Sequence, residues 1–453
     1  MHNHTDKFSR ILNTRIARIC TGVLVMLCIT FSQAGCSLSV EMPDEAERQI
    51  EPIPPLQTHT LQDSPSSSYE VGEATFPDAY DNNGGNEDTD YAIQSTESSG
   101  GVEGLYGYSD DEIAAAGATN VGRFAYERLD QAGKRVYNEI YMVLRDMEEE
   151  YELDCKDVDE INRIFLCVMM DHPEVFWVSG YVYTRYTRGE VLEAIGFRGA
   201  YTMDASTVAS RQASIDAYVD QCLAGMPAGD DYLKIKYVYE YIIRNTVYDT
   251  DSTDNQNICS VFINGRSVCQ GYAKATQYLL TKAGIPCTLI TGSCVGAGNH
   301  AWNMVRCNGA YYYLDTTWGD ANYRMEEGID SDFESISYDY LCVPGYEIFM
   351  THSPDAPVDL PNCTAIADNY YVREGAYFTS VDPNGLRSLF ERARAEGRES
   401  VSIKASDAAV YSDVKHHLLD EQHVFDYTGT MNSGATLSYW ENRDLMTISF
   451  NLD

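Results

Sequence analysis

The spacing of apolar residues predicts alternating helices and strands over most of the chain after residue 110. Apolar side chains that recur every three or four residues are typical of helices packed on a core. Such stripes occupy residues 137–147, 158–168, 206–223 and 230–245. Runs rich in tyrosine and valine at 177–186 and 191–197 predict a β-hairpin instead.

A further helix is predicted to begin at Cys269. Residues 272–283 carry apolar side chains at helical spacing, and a glycine and a proline just beyond them supply a stop. Residues 259–263 (CSVFI) are β-branched and aromatic, which predicts a strand before an Asn-Gly turn. The free N–H groups at a helix start lower the pKa of a cysteine from about 8.5 to about 3.5–7.5. Cys269 is therefore a candidate nucleophile, and a buried inert thiol is the alternative.

A second hairpin is predicted downstream, after a buried strand at 287–293, and residues 338–343 and 346–349 are predicted to be closing strands beyond it. Residues 300–307 (HAWNMVRC) and 310–318 (AYYYLDTTW) flank Asn308 and Gly309, a dipeptide that favours a two-residue hairpin turn. Such a turn fixes the register of the two strands. The expected opposite pairs are Cys307 with Ala310, Trp302 with Asp315, and His300 with Thr317.

This register places an imidazole beside a carboxylate. Side chains alternate between the faces of a sheet, so His300 and Asp315 share one face. They are diagonal neighbours, about 7–8 Å apart between backbones and within reach through their side chains. An imidazole oriented by a carboxylate is the general base that a thiol nucleophile requires.

Three separate motifs resemble the transglutaminase-like superfamily: VCQGYAKA around Cys269, NHAWNMV around His300 and YYYLDTTWGD around Asp315. They occur in the family's order and at about its spacing. The resemblance implies an α+β fold with a papain-like core, in which the helix that bears the nucleophile packs on an antiparallel sheet. It also implies a triad of Cys269, His300 and Asp315. Stretches at 126–137, 171–177 and 337–341 look like the flanks of bacterial surface members.

Other residues are candidates for contacts with the substrate or with an oxyanion. The family places an aromatic donor upstream of the nucleophile, for which Tyr248 is the candidate, and core packing is an equal alternative. The backbone N–H of Cys269 is the firmer oxyanion donor, because N–H groups at a helix start point outward. Gln270, Trp302 and Trp318 are further candidates.

No sequence pattern predicts a metal or a cofactor. The chain contains no CxxC, HExxH or EF-hand pattern and no dinucleotide fingerprint. Its formal charge of −37 argues against nucleic acid as a partner. The cysteines outside the predicted signal peptide are scattered, which leaves both disulfides and a reducing environment open.

The N-terminus has the pattern of an export signal. Basic residues precede an apolar run at 19–31 that is short for a membrane span. Ala34, Gly35 and Cys36 then resemble the lipobox of bacterial lipoproteins, which implies acylation of Cys36. We therefore expect a cell-surface lipoprotein anchored to the membrane, and ordinary secretion or an uncleaved anchor are the alternatives.

Composition divides the chain into five parts. The segment after the signal peptide is acidic and poor in apolar residues, so a disordered spacer is predicted there. The predicted parts are a signal peptide (1–36), a disordered acidic linker (37–110), an N-terminal helical and β-hairpin region (111–205), a transglutaminase-like catalytic domain (206–353) and a small C-terminal α+β domain (362–453).

The predicted reaction follows from the triad and the resemblance. The Cys269 thiolate attacks a carboxamide or peptide carbonyl, and the resulting thioester passes to an amine or to water. The resemblance suggests protein or peptide substrates with glutamine or another amide donor, and the cell wall is within reach of a tethered protein. A thiol peptidase or amidase acting on cell-wall peptides is one alternative. A surface binding module that keeps the fold without turnover is another.

Overall fold

The structure is a computed structural model that describes residues 91–98, 105–320, 336–428 and 437–452. The predicted signal peptide, Cys36 and most of the predicted linker lie outside these residues. In the part of the chain that is described, no helix is both long and apolar enough to cross a membrane.

The N-terminal region packs helices against a four-stranded sheet. The helices are α1 (Asp110–Asn120), α2 (Gln131–Asp146) and α3 (Val158–Asp171). The sheet has the order β1 (Ala92–Ser98), β3 (Val178–Arg188), β4 (Val191–Tyr201) and β2 (Tyr151–Glu152). α2 packs on α3, and the predicted β3–β4 hairpin is confirmed.

Strand β1 lies inside the segment predicted to be a disordered linker, so for these residues that prediction is wrong. β1 pairs in parallel with β3, with Ala92 opposite Gly180. A Cβ at Gly180 would collide with the Ala92 carbonyl, so only glycine allows this close approach. The strand is exposed and polar and is held by backbone pairing at the sheet edge. Amino-acid composition indicates whether a segment can bury apolar surface, but it does not indicate whether its backbone pairs with a neighbouring strand.

The central helices lead to the helix that carries the predicted nucleophile. They are α4 (Ala205–Ala224), α5 (Asp231–Asn245) and α6 (Cys269–Lys282), with the short parallel pair β5 (Val247–Tyr248) and β6 (Arg266–Ser267) between α5 and α6. Residues 259–263 were predicted as a strand, but Ser260–Asn264 is a π-helical turn. Val261 and Phe262 are buried in the core from this turn, and Gly265 ends it in the left-handed conformation at φ 66°. Tertiary packing thus overrides the β propensity of this run.

A five-stranded antiparallel sheet supports α6. Its strands are β7 (Cys287–Cys294), β8 (Gly298–Cys307), β9 (Ala310–Leu314), β10 (Leu341–Val343) and β11 (His352–Pro354), in the order β10-β9-β8-β7-β11. The predicted hairpin register is confirmed from Cys307 opposite Ala310 to Asn303 opposite Leu314. α6 packs on β7 and β8. This is the predicted α+β arrangement of a helix on an antiparallel sheet.

Two predictions about this sheet are wrong. β9 ends at Leu314, so the expected pairs of Trp302 with Asp315 and of His300 with Thr317 are not part of the ladder. Instead, the Asp315 N–H donates to the Tyr340 carbonyl, which turns the chain out of the hairpin. Residues 346–349 were predicted as a strand, but α7 (Gly345–Ile348) is a helical turn. The closing edge strand is β11.

The C-terminal region is a small α+β unit, as predicted from its pattern. Its sheet has the order β12 (Tyr377–Phe378), β13 (Ser400–Ala405), β15 (Thr447–Asn451) and β14 (Tyr439–Asn442). Its helices are α8 (Tyr370–Arg373), α9 (Pro383–Ala395), α10 (Ala408–Lys415) and α11 (Val424–Thr428). Tyr371 donates a 2.5 Å hydrogen bond to Asp339, which joins this unit to the chain that follows the β8–β9 hairpin.

The cysteines in the described residues are all free thiols, so this part of the protein contains no disulfide.

Candidate active site

Cys269 is the first residue of α6, where the sequence places the end of a turn and the start of a helix. The N-cap residue, Val268, makes no side-chain capping bond, so the first-turn N–H groups remain available near the thiol. A Cβ at Gly271 would collide with the hydroxyls of Ser260 and Ser267. These serines share a 2.6 Å hydrogen bond beneath the helix start. Gly271 therefore lets the helix begin close against this turn.

The thiol lies in a largely buried site. Cys269 is 5% exposed and packs with Ala273, Leu289 and Ala301. A pocket of apolar side chains alone would keep a thiol protonated and inert. The neighbouring imidazole is what distinguishes this cysteine from the other buried ones.

His300 lies between the thiol and a carboxylate. Its Nε2 is 2.8 Å from Oδ2 of Asp315, which leaves Nδ1 as the ring nitrogen that can face the sulfur. The Cys269 thiol lies near enough to the ring to raise the pKa of His300. The ring of Trp302 stacks on His300 at 5.9 Å between centroids. The structure thus brings Cys269, His300 and Asp315 together in one constellation.

Asp315 accepts hydrogen bonds through both carboxylate oxygens. Oδ1 accepts the backbone N–H groups of Thr317 at 2.8 Å and Trp318 at 3.0 Å. Oδ2 accepts from His300 and from a second imidazole, that of His352. Burial would raise the pKa of this carboxyl, but the charge on His300 and these hydrogen bonds hold the pKa well below its ordinary value. Asp315 is therefore ionised and fixed in orientation.

Electrostatics favour the imidazolium form of His300. Burial alone would lower the pKa of the ring, but the charge and hydrogen bond of Asp315, together with the hydrogen bond and charge of Cys269, raise it to about 10. A protonated imidazole beside a thiolate is the resting state expected of an activated cysteine nucleophile.

His352 is a residue of this site that sequence reasoning missed. It lies in β11, its Nε2 is 3.1 Å from Oδ2 of Asp315, and its Nδ1 is 2.8 Å from the Thr351 hydroxyl. Because an ionised carboxylate only accepts hydrogen bonds, His352 donates to it. Burial lowers the pKa of His352 despite the opposing effect of Asp315, so this ring is neutral. An isolated histidine near a proline-rich stretch carries no sequence pattern that could have revealed this contact.

The structure places the other predicted site residues, Gln270, Trp302, Trp318 and Tyr248, in different surroundings. The Gln270 side chain is buried, and neither its Oε1 nor Nε1 of Trp302 has a hydrogen-bond partner among the described residues. The Trp318 ring lies 5.8 Å from that of His300. Tyr248 pairs with Ser267 and its ring lies 6.3 Å from that of Tyr272, a position that fits core packing. The roles of all four in substrate binding stay predictions.

A cavity of about 510 Å³ lies between α3 and strands β7, β8 and β11, and its lining does not include Cys269, His300 or Asp315. Its lining includes Leu289, which packs against Cys269, and the residues next to the two histidines, Asn299 and Ser353. Asp159 and Arg163 of α3 form part of the opposite wall.

Residues 220–316 match the family model described as the transglutaminase-like superfamily. The match includes Cys269, His300 and Asp315, and it ends just after Asp315. This part of the chain is a transglutaminase-like domain.

Known proteins of similar sequence or structure also align with only part of this chain. The chain is 23% identical over 145 residues to the kyphoscoliosis peptidase of Mus musculus, which is 28% of this chain and 22% of that protein. The chain thus spans about a fifth of the curated relative's length. A crystal structure of a TGase aligns with 13% identity over 35% of this chain and 50% of its own, at a TM-score of 0.24. A putative cysteine protease from Cytophaga hutchinsonii aligns with 18% identity over 27% and 51%, at a TM-score of 0.21.

Proposed function

With residues 220–316 identified as a transglutaminase-like domain, we propose that the protein catalyses cysteine-dependent acyl transfer or hydrolysis at carboxamide or peptide bonds. Cys269 is the nucleophile, His300 the general acid and base, and Asp315 the residue that orients His300. The observation that carries the proposal is the position of His300, whose Nε2 is 2.8 Å from Oδ2 of Asp315 and whose pKa is raised by both Asp315 and Cys269.

The first half-reaction forms a thioester. The Cys269 thiolate attacks the carbonyl carbon, and the resulting oxyanion faces the N–H groups at the start of α6. The His300 imidazolium gives its proton to the leaving nitrogen, which departs as ammonia from a glutamine side chain or as an amine from a peptide bond. His300 is then neutral and held in one tautomer by Asp315.

The second half-reaction returns the enzyme to its starting state. The neutral His300 takes a proton from an incoming primary amine or from water, and this nucleophile attacks the thioester carbonyl. Collapse of the intermediate releases the Cys269 thiolate and restores the imidazolium. The acceptor decides whether the protein is a transferase or a hydrolase, because every step up to the thioester is the same.

Water as the acceptor is the second candidate. The name of the mouse relative contains the word peptidase, which agrees with hydrolysis of a peptide or amide bond. For substrates, we propose proteins or peptides with glutamine or other amide donors, including peptides of the cell wall.

The proposed location is the exterior of a bacterial cell. The apolar run at 19–31 and the Ala-Gly-Cys sequence ending at Cys36 support export and lipidation. Mass spectrometry of the mature protein is expected to find an acylated N-terminal Cys36, and Cys36→Ser is expected to release the protein from the membrane fraction. Membrane retention of the Cys36→Ser protein would contradict lipid anchoring.

Incubation with a labelled primary amine and a glutamine-containing protein tests the proposed reaction. Covalent incorporation of the label identifies a transferase, whereas release of ammonia or peptide without incorporation identifies a hydrolase. Both products must disappear in Cys269→Ser and persist in the matched variant Cys363→Ser, which removes a buried thiol elsewhere. If neither product forms and Cys269 does not react with alkylating agents, the protein is a binding module and the proposal is wrong.

A further inference from the structure

Three metal-ligating side chains converge beside the thiol. One donor atom each from Cys294, His300 and His352 lies within 4.8 Å of the other two, and all three residues are buried. We propose that they form a binding site for a thiophilic divalent cation such as Zn²⁺, and that the bound ion switches off the acyl transfer proposed above. The inhibition rests on that proposed function, whereas the binding does not.

Three neighbouring strands hold the donors in place. His352 of β11 lies directly opposite Cys294 of β7, and His300 of β8 lies opposite Gly292, two residues along the same strand β7. A Cβ at Gly292 would collide with the backbone of Ser353, so the close approach of β11 to β7 depends on this glycine. The donor set is therefore positioned by backbone pairing before any ion arrives, which lowers the entropic cost of binding.

The chemistry of the donors selects the kind of ion. One sulfur and two imidazole nitrogens are ligands that Zn²⁺ prefers, at about 2.3 Å and about 2.0–2.1 Å, whereas Mg²⁺ and Ca²⁺ require oxygen. Tetrahedral bonds of these lengths separate the ligand atoms by about 3.5 Å. Binding therefore requires the three donors, which lie within 4.8 Å of one another, to move closer together.

The charges in the site balance when the ion is bound. Cys294 loses its thiol proton to solvent, His300 gives its imidazolium proton to the Cys269 thiolate, and one nitrogen of each histidine donates its lone pair to the metal. The two charges of the cation are then matched by the Cys294 thiolate and the Asp315 carboxylate. Oδ2 of Asp315 is already within 3.1 Å of both imidazoles, so it can serve as the fourth ligand. A buried site favours an ion and ligands whose charges sum to zero.

Metal binding and acyl transfer exclude each other at His300. A ring whose lone pair is shared with a metal and whose orientation is fixed by it cannot carry protons between Cys269, the leaving group and the acceptor. Occupancy is therefore expected to abolish turnover, and a chelator is expected to restore it. Acid is expected to weaken binding, since protons compete for the same atoms.

Cobalt spectroscopy of the full, metal-free protein tests the site directly. Co²⁺ is expected to produce a thiolate-to-cobalt charge-transfer band that Zn²⁺ removes and Mg²⁺ leaves unchanged. Cys294→Ser is expected to lose the band, and Cys363→Ser and Cys269→Ser are expected to keep it. His352→Ala is expected to weaken binding by at least about 100-fold, since even outer partners of metal ligands contribute about 10–100-fold.

A second group of possible ligands provides an internal control. His417, Glu421 and His423 also approach each other within 4.8 Å, but they are mostly exposed and offer no sulfur. Cobalt bound there cannot give a thiolate band, so His417→Ala is expected to leave the band intact. Absence of the band in the wild-type protein, or its loss in Cys269→Ser rather than Cys294→Ser, would overturn the proposed site. Unchanged melting of the Cys294→Ser protein excludes misfolding, and Cys294→Ala provides a second replacement.

The inhibition is measured separately. Zn²⁺ is expected to suppress the labelled-amine reaction and the alkylation of Cys269 at least tenfold, with rates expressed relative to each variant's own metal-free rate. The suppression is expected to disappear in Cys294→Ser, and its persistence there would overturn the switch. If the metal-free protein forms no product at all, the proposed function fails, while the cobalt band still decides whether the metal site exists.

Discussion

His352 donates a hydrogen bond from Nε2 to Oδ2 of Asp315 at 3.1 Å, although 37 residues separate them in the chain. Replacement of His352 by leucine removes this donor, so that Oδ2 of the buried carboxylate keeps only its bond from His300. We expect the free energy of unfolding to fall by about 1.5–3 kcal/mol, the typical contribution of a hydrogen bond to a charged group. Chemical denaturation measures this change.

The matched variant is His352→Gln, whose amide can still donate to Asp315. We expect it to recover much of the stability lost in His352→Leu, because the two replacements differ mainly in the polar donor. Equal losses in both variants would show that the hydrogen bond contributes little and that ring packing against Trp302 and Trp318 matters more.

Asp315→Asn removes the charge that favours the imidazolium form of His300. The pKa of His300, raised to about 10 in the intact site, is expected to fall toward or below its ordinary value, because burial then acts without the opposing charge. An NMR titration of the ring measures the shift. The labelled-amine reaction is expected to slow by about 10²–10⁴-fold, the range for loss of effective acid–base catalysis.

The same pKa has a consequence for stability. The pKa of His300 is higher in the folded than in the unfolded protein, so the protonated ring stabilises the fold. This stabilisation is complete below about pH 6.5 and is lost as the pH rises through about 10. We expect this component of the pH dependence to be present in the wild-type protein and reduced in Asp315→Asn. Parallel stability curves for the two proteins between these pH values would contradict the ion pair.

The stability of the turn between β8 and β9 is expected to depend on Gly309. Asn308 and Gly309 both have left-handed conformations, at φ 48° and 93°, as the tight turn requires. Gly309→Val is expected to lower the free energy of unfolding by at least about 1–2 kcal/mol, the cost of this conformation for a residue with a Cβ. Gly309→Asn is the control, since asparagine tolerates the left-handed region, and its loss is expected to be smaller in the same denaturation experiment.

The local sequence predicted the parts of the site that depend on contacts between residues close in the chain. The start of α6 at Cys269 follows from helical spacing, and the β8–β9 register follows from Asn308 and Gly309. These two features bring Cys269, His300 and Asp315 within reach of one another even though β9 ends before Asp315.

Long-range pairing explains what the sequence did not reveal. β11 reaches β7 from beyond residues 321–335, so the contacts of His352 with Asp315 and Cys294 depend on tertiary structure. β1 is held by backbone bonds to β3, and its polar composition gives no indication of a strand. The turn at Ser260–Asn264 is helical although its residues favour strands, because burial of Val261 and Phe262 determines its conformation.

The other thiols make a selective measurement possible. Burial raises the pKa of Cys167 to about 12 and that of Cys222, Cys259 and Cys363 to about 11. These thiols stay protonated in weak acid and react slowly with alkylating agents. Modification at about pH 6 therefore reports on a thiolate held by an imidazolium.

The most direct test of the central claim is the rate of alkylation of Cys269 by iodoacetamide at about pH 6, followed by peptide mass spectrometry of the folded protein. We predict that Cys269 is modified before every other cysteine and that His300→Ala slows its modification by at least about tenfold, because the thiolate loses its partner. Equal rates in the wild-type and His300→Ala proteins, or a Cys269 that stays unmodified while other thiols react, would contradict an activated nucleophile at this site.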